Sequence, residues 1–330
     1  MKTAIIGVTG LVGSAFLKVL DELHFPVTEL LPAASAASAG KTIVFRGREY
    51  KVMTMEECLA ASPDIALFSA GSAVSKEWAP RFAAQKCYVV DNSSCWRMDK
   101  GIPLVVPEVN PGDINKDTYI ISNPNCSTIQ LVVVLKPLHD AFGIKRIVIS
   151  TYQSVTGTGQ KAILQLESER NGKSEPKVYP HPIDMNCFPH GGTFLANGYT
   201  TEEQKLIDET RKIMHAPEIL VSPTVVRVPV MGGHSESVNI EFEKPVSVKE
   251  VREILKSAPG IIVQDTPDKN EYPMPLFSKD RNEVFVGRIR QDETVANGIN
   301  LWIVADNLRK GAATNAVQIA LQILDIRDKK

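Results

Sequence analysis

Over the first 125 residues, short apolar runs alternate with amphipathic stretches. Residues 4–8 read as a strand, and residues 11–23 follow with Val12, Phe16, Val19 and Leu20 at helical spacing. Residues 27–31, 65–69 and 88–91 read as further strands, with a helix over 75–86 between the last two. Strands alternating with helices predict a parallel sheet covered on both faces. After Asn125 the pattern changes. Residues 129–138 are apolar nearly all round, as in a helix buried in a core or a subunit interface. Longer strand-like segments follow at 144–154, 221–230, 235–243, 284–290 and 299–305, which predicts an α+β domain on a largely antiparallel sheet. A last helix over 308–326 is expected to pack back on the first domain. The division expected is 1–125 plus 308–330 against 126–307.

Bulk composition narrows the function classes. The 330 residues are 43% hydrophobic and 23% charged, with a formal net charge of −1, so no global field draws nucleic acid or anionic membrane. No apolar run reaches the roughly 18 residues of a membrane span. The opening MKTAIIGVTG lacks a small-residue cleavage site and reads as a first strand and its turn. Five cysteines, at 58, 87, 95, 126 and 187, form no CxxC pair and no metal spacing with histidine. An odd, scattered set suggests a reducing compartment, and a cytoplasmic location and no metal are expected.

Between the first strand and helix lies Gly7-Val8-Thr9-Gly10-Leu11-Val12-Gly13. Glycines there allow a tight turn and close backbone approach, while the helix start offers free N–H groups to a pyrophosphate. Alone such a loop is weak, since glycine also closes βα turns for packing, but its placement favours a dinucleotide. After the second strand an NAD-binding fold usually carries an acid for the ribose hydroxyls. Here the turn runs Ala34-Ser35-Ala36-Ala37-Ser38-Ala39-Gly40-Lys41, without an acid. Ser35, Ser38 and Lys41 favour a 2′-phosphate and hence NADP; a small-residue surface turn is the plain alternative.

The strongest local signal is Ser122-Asn123-Pro124-Asn125-Cys126-Ser127-Thr128, just before the all-apolar helix. Asn125 suits a cap, which puts Cys126 in a first turn whose free N–H groups stabilise a thiolate or an oxyanion. Cys58, Cys87 and Cys187 read as inert small hydrophobes. Downstream, Arg227-Val228-Pro229-Val230-Met231-Gly232-Gly233-His234 reads as two strands flanking a glycine turn. His234 is a candidate proton acceptor, although a structural histidine is the default. Arg227, in an apolar strand without a neighbouring acid, needs a partner, and a substrate carboxylate serves as well as a protein one.

Together these segments strongly resemble the aspartate-β-semialdehyde dehydrogenase family, nearly end to end. Further matching pieces are Ser69-Ala70-Gly71-Ser72, Asp91-Asn92-Ser93-Ser94 leading to Arg97-Met98-Asp99, and Val106-Pro107-Glu108-Val109-Asn110. Gln153 within Thr151–Gly157, Asn186 with Pro189, and the segment from Asp306 to Ala313 complete the set. The resemblance implies a Rossmann-like dinucleotide-binding domain and an α+β catalytic and dimerisation domain. It implies Cys126 as nucleophile, His234 as acid–base and Gln153 orienting the reacting carbonyl. Arg227 would pair with the substrate carboxylate and Glu209 with its ammonium, while Arg97, Asn125 and Lys212 would hold phosphate. Glu209 and Lys212 are three apart on one expected helix and so share a face; their plain alternative is a surface ion pair. Cofactor contacts are implied at Gly7, Thr9, Gly10, Leu11, Val12, Gly13, Ser35, Ser38, Ser69, Ala70, Gly71 and Asn307.

The activity implied is reductive dephosphorylation of L-4-aspartyl phosphate to L-aspartate-4-semialdehyde with NADPH, reversed by phosphate-dependent aldehyde oxidation, in a homodimer. One departure is Ala37, where relatives often carry arginine, so NAD or dual use stays open. Rival readings are an N-acetyl-γ-glutamyl-phosphate or malonyl-CoA reductase, or a cofactor-sensing homologue without catalysis. Glu209 speaks for a free ammonium, which neither rival substrate has.

Overall fold

The computed structural model describes residues 1–173 and 175–328. They form two compact units: Met1–Asn125 with the segment from Ala312 on, and Cys126–Gly311. Residues 308–311, expected with the first unit, group with the second. Gly311 is packed so closely on Cys126 that a Cβ there would stand 2.9 Å from the cysteine Cβ.

In the first unit, strands β1 (Lys2–Ile6), β2 (Glu29–Ala33), β5 (Ile65–Phe68), β6 (Tyr88–Asp91) and β7 (Ile120–Ser122) form one parallel sheet in the order β2-β1-β5-β6-β7. A hairpin of β3 (Thr42–Phe45) and β4 (Arg48–Lys51) stands apart. The helices are α1 (Leu11–Glu22), α2 (Met55–Ala60) and α3 (Ser72–Ala84). Because side chains alternate across a strand, Ile5, Leu67 and Val90 enter one core with Phe16 and Leu20 of α1, while Ala4, Ile6 and Phe68 enter another with Trp78 and Phe82 of α3. Burial on both faces explains why these strands read as unbroken apolar runs. The strand order reverses between β1 and β5, the place where open parallel sheets take ligands. There the loop after β1 meets the loop after β5: Gly7 has φ +85°, and a Cβ on it would lie 3.0 Å from the Ser69 carbonyl carbon.

The second unit opens on α4 (Cys126–Phe142), longer at both ends than the apolar run showed. Its sheet contains β8 (Ile144–Gln153), β9 (Leu220–Arg227), β10 (His234–Phe242), β11 (Ile261–Val263), β12 (Val284–Asp292) and β13 (Gly298–Ala305), in the order β11-β12-β13-β10-β8-β9. The three central pairings are antiparallel, and the outer two, β11–β12 and β8–β9, are parallel. The glycine turn before His234 therefore closes no hairpin; it carries the chain across the end of β8, which lies between β9 and β10. Helices α5 (Gln160–Arg170), α6 (Thr201–Met214), α7 (Val248–Ser257) and α8 (Pro275–Ser278) complete the unit. A five-residue π-helical turn, Arg309–Ala313, leads into α9 (Thr314–Asp328), whose Ala316, Val317, Ala320 and Ile323 fill the α1 side of the first core. No helix among the described residues is long and apolar enough to cross a membrane.

Gly13 is the tightest glycine of the first loop: a Cβ would sit 2.2 Å from the Gly7 carbonyl oxygen and 2.7 Å from Val8 Cα. Both are backbone atoms that cannot turn aside. Gly13→Ala is expected to destabilise the first unit by about 1–3 kcal/mol or more through overpacking. Gly112→Ala, where a Cβ meets nothing within 4 Å, should stay within about 0.5 kcal/mol. Denaturant unfolding of the two variants measures the difference; equal losses would contradict it.

Candidate active site

Sheet order brings three expected residues to one end of the second sheet. Gln153 ends β8 and Arg227 ends β9, paired in register, while His234 begins the antiparallel β10 on the other side of β8. Cys126 is the first residue of α4 and half-buried. Its neighbour Ser127 accepts a hydrogen bond from Gln153 Nε2 at 2.9 Å, which fixes the Gln153 amide beside the cysteine. A helix start here puts aligned backbone dipoles at the sulfur.

Ser154, directly after β8, ties the other two together. Its N–H donates to His234 Nδ1 at 3.1 Å, and its carbonyl accepts from Arg227 Nη1 at 2.7 Å. Its hydroxyl oxygen accepts from the Gly232 and Thr156 N–H groups, at 3.0 and 3.1 Å, and Thr156 Oγ1 donates to Asn307 Oδ1 at 2.9 Å. Gly157 closes over the pair: a Cβ would lie 3.1 Å from His234 Nε2 and 3.4 Å from Arg227 Nη1. Ser154, Thr156, Gly157 and Gly311 carry no chemistry as residue types, so sequence reasoning passed over their roles. The one signal was the Ser-x-Thr-Gly string, which reads as a turn.

His234 is fully buried and its Nε2 has no hydrogen-bond partner. Burial first, then the Arg227 charge, push its pKa down to about 3, against a smaller opposing hydrogen bond at the Gly233 backbone. Because Nδ1 accepts an N–H, the neutral ring carries its proton on Nε2. Arg227 is buried, its guanidinium 5.9 Å from the Tyr179 ring centroid, and its Nε has no partner. A buried guanidinium with an unfilled donor suits a carboxylate ligand.

Glu209 lies on the inner face of α6 with Leu206, Thr210 and Ile213, and at 1% exposure its carboxylate is withdrawn from solvent. Lys212 is half-buried on the same helix. Arg97 and Asn125 belong to the first unit, both buried, where Arg97 donates to the Asn123 and Asn92 carbonyls at 3.0 and 2.9 Å. For a dinucleotide, the observation that counts is Gly10, the α1 N-cap, which brings no side chain to the free amides of the first turn. Thr9 and Gly10 are exposed there, Leu11 and Val12 half-buried. Ser35 is exposed and Ser38 half-buried in the turn after β2, and Ser69, Ala70 and Gly71 follow β5. The residues fit such a group.

A parallel sheet with a glycine loop at its switch point, followed in the chain by a unit on a mixed sheet, is the architecture of a nicotinamide-dependent oxidoreductase. Two family models match, "Semialdehyde dehydrogenase, NAD binding domain" over residues 2–117 and "Semialdehyde dehydrogenase, dimerisation domain" over residues 135–310. The aspartate-semialdehyde dehydrogenase of Aquifex aeolicus is 56% identical over 328 residues, covering 97% of this chain and 96% of its own. A crystal structure of aspartate semialdehyde dehydrogenase II from Vibrio cholerae, complexed with ASA, superposes with TM-score 0.95 at 45% identity, over 100% of this chain and 99% of that one. The Candida albicans enzyme, solved with NADP, gives TM-score 0.78 at 26% identity over 99% of each chain. The chain belongs to the aspartate-semialdehyde dehydrogenase family.

The buried ring makes acid stability a test of this geometry. Above about pH 6.5 the ring is neutral folded or unfolded; as pH falls from there toward about 3, the unfolded chain binds a proton that the folded chain refuses. The site's contribution to stability is thus complete above that range and lost on acidification. Between about pH 7 and about pH 5 the wild type should lose about 2 kcal/mol more than His234→Gln in denaturant unfolding. Parallel losses would mean that the ring titrates normally.

Proposed function

We propose that this enzyme reduces L-4-aspartyl phosphate to L-aspartate-4-semialdehyde through a thioester on Cys126, and runs the phosphate-dependent oxidation in reverse. The reaction stands in the biosynthesis of lysine, threonine, methionine and isoleucine. The observation that carries the reading is Cys126 at the head of α4, with Gln153 hydrogen-bonded to the next residue.

The Cys126 thiolate attacks the acyl carbon, the bond to phosphate breaks, and the carbonyl oxygen passes through an anionic stage that the α4 amides face. Gln153 orients the carbonyl. A nicotinamide cofactor, when bound, supplies the hydride in this direction and takes it in the other. His234 presents Nε2–H to the developing negative charge. Its acid–base turn requires the ring to gain a proton, and an anionic substrate opposite Arg227 raises the ring's affinity for one. Arg227 clamps the α-carboxylate and Glu209 takes the ammonium. Arg97, Asn125 and Lys212 hold phosphate. The acid-free turn with Ser35, Ser38 and Lys41 supports NADP over NAD. The homodimer is supported by the description of the second family model, and the scattered free cysteines support the cytoplasm.

The direct test is oxidation of aspartate semialdehyde with NADP and NAD in parallel, with and without phosphate. Phosphate-dependent turnover and a higher kcat/KM with NADP are expected, and turnover should vanish in Cys126→Ser. Ala37 removes one charge-assisted contact worth about 1.5–3 kcal/mol, so the NADP margin should be about tenfold to hundredfold smaller than in relatives with arginine there. Turnover in the serine variant would end the thioester reading.

The two anionic ends of the substrate should separate in kinetics. Arg97→Leu should raise the KM for phosphate far more than that for the aldehyde, and Arg227→Leu the reverse. Arg227→Lys should rescue poorly, since a point charge does not reproduce a two-bond fork. If each variant raises both KM values by similar factors, the assignment fails.

A further inference from the structure

Beneath His234 lies a second ionisable group that the reaction does not call on. Glu236, two residues along β10, is on the same face of the strand as His234. It is 0% exposed, and neither carboxyl oxygen has a hydrogen-bond partner. Its cross-strand neighbours are Thr151 on β8 and Ile303 on β13. The α4 residue beside it is Gln130, one helical turn on from Cys126. Among these neighbours no cation is available to balance a carboxylate. The titratable group on its own strand face is His234, which in turn feels Arg227. An ionised carboxylate in this position pays the full cost of desolvation, so the carboxyl holds a proton.

The Gln130 side chain is the polar group next to that carboxyl. Its Nε2 donates to the His234 carbonyl oxygen at 3.4 Å, while its Oε1 is buried without a partner. An amide oxygen accepts only from a donor, and a protonated Glu236 is one. We propose that Glu236 is a positioning residue that works as a neutral carboxylic acid, donating to Gln130 Oε1 so that Gln130 holds the His234 backbone. Burial pushes the Glu236 pKa well up, opposed only by the nearby Gln130 amide. The uncharged state also matters at a distance. A carboxylate here would offset Arg227 and strengthen proton binding at His234. Ionisation of Glu236 at high pH thus removes the donor to Gln130 and alters the ring together.

This inference rests on the active-site reading for its kinetic consequence, but not for the protonation itself. Infrared spectroscopy of the free enzyme in D2O at neutral pH should show a protonated-carboxyl band that is missing in Glu236→Gln. In phosphate-dependent aldehyde oxidation, the wild-type kcat should decline at alkaline pH along a limb that Glu236→Gln, which keeps a donor, lacks. Glu236→Leu, with no donor, should lower kcat about tenfold at neutral pH with little change in KM. The absence of the band, or an unchanged alkaline limb in Glu236→Gln, overturns the proposal. Should Glu236→Leu fail to fold, the band and the limb still decide. An enzyme with the band but no turnover would sink the functional reading and leave the neutral carboxyl standing.

Discussion

The peptide groups of Ser154 join two side chains that the sheet keeps on different strands, His234 through the N–H and Arg227 through the carbonyl. The arrangement depends on strand order. Because β8 lies between β9 and β10, one residue leaving β8 can reach both neighbours at once. The Ser154 hydroxyl then anchors the turns on either side, through Thr156 and Gly232. Such contacts use backbone atoms, which do not change rotamer, so the imidazole and the guanidinium keep one relative placement. Alignment on the scale of a fraction of an ångström is what covalent catalysis needs from its scaffold.

The same compactness has an electrostatic side. His234, Arg227, Glu209 and Glu236 are all withdrawn from water, where a lone charge is expensive and every interaction between charges is strong. The protein resolves this unequally. His234 stays neutral and Glu236 stays protonated, whereas Arg227 keeps its charge with a carbonyl and an aromatic face as partners. A buried guanidinium at the end of the sheet favours an anion beside it.

Much of this was legible in the chain, and unevenly. The β1–glycine–α1 unit, β6 and the buried character of α4 followed from periodicity, because burial on both faces writes itself as apolar runs. Cys126 and Arg227 stood out by chemical incongruity with their neighbours. The hairpin of β3 and β4 was missed, although Arg46-Gly47, both at positive φ, is the kind of two-residue turn that marks one. The two strands and the glycine turn before His234 were legible, but not their pairing, because flanking apolar strands and paired glycines look the same whether the chain returns beside its predecessor or crosses a third strand. Gly157 and Gly311 lie in segments the resemblance covers, but their roles were not legible: what they contribute is the absence of a side chain next to His234 and Cys126, and only the fold says what stands there. Glu236 sat in plain view beside His234, but a glutamate in a strand reads as solvent-facing until burial is known.

The first unit is assembled from two separated stretches of chain, with the whole second unit threaded between them. Its α1-side core takes Ala316, Val317, Ile319, Ala320 and Ile323 from α9. On the ribosome, the parallel sheet is therefore made early but keeps that flank bare until α9 emerges. The inserted unit, continuous in sequence, has all its strands by then and can complete itself first. The inserted unit can therefore fold before the parallel sheet has its full covering, and a chain cut before α9 keeps a bare apolar flank on the first unit. Completion of the first unit thus waits on α9.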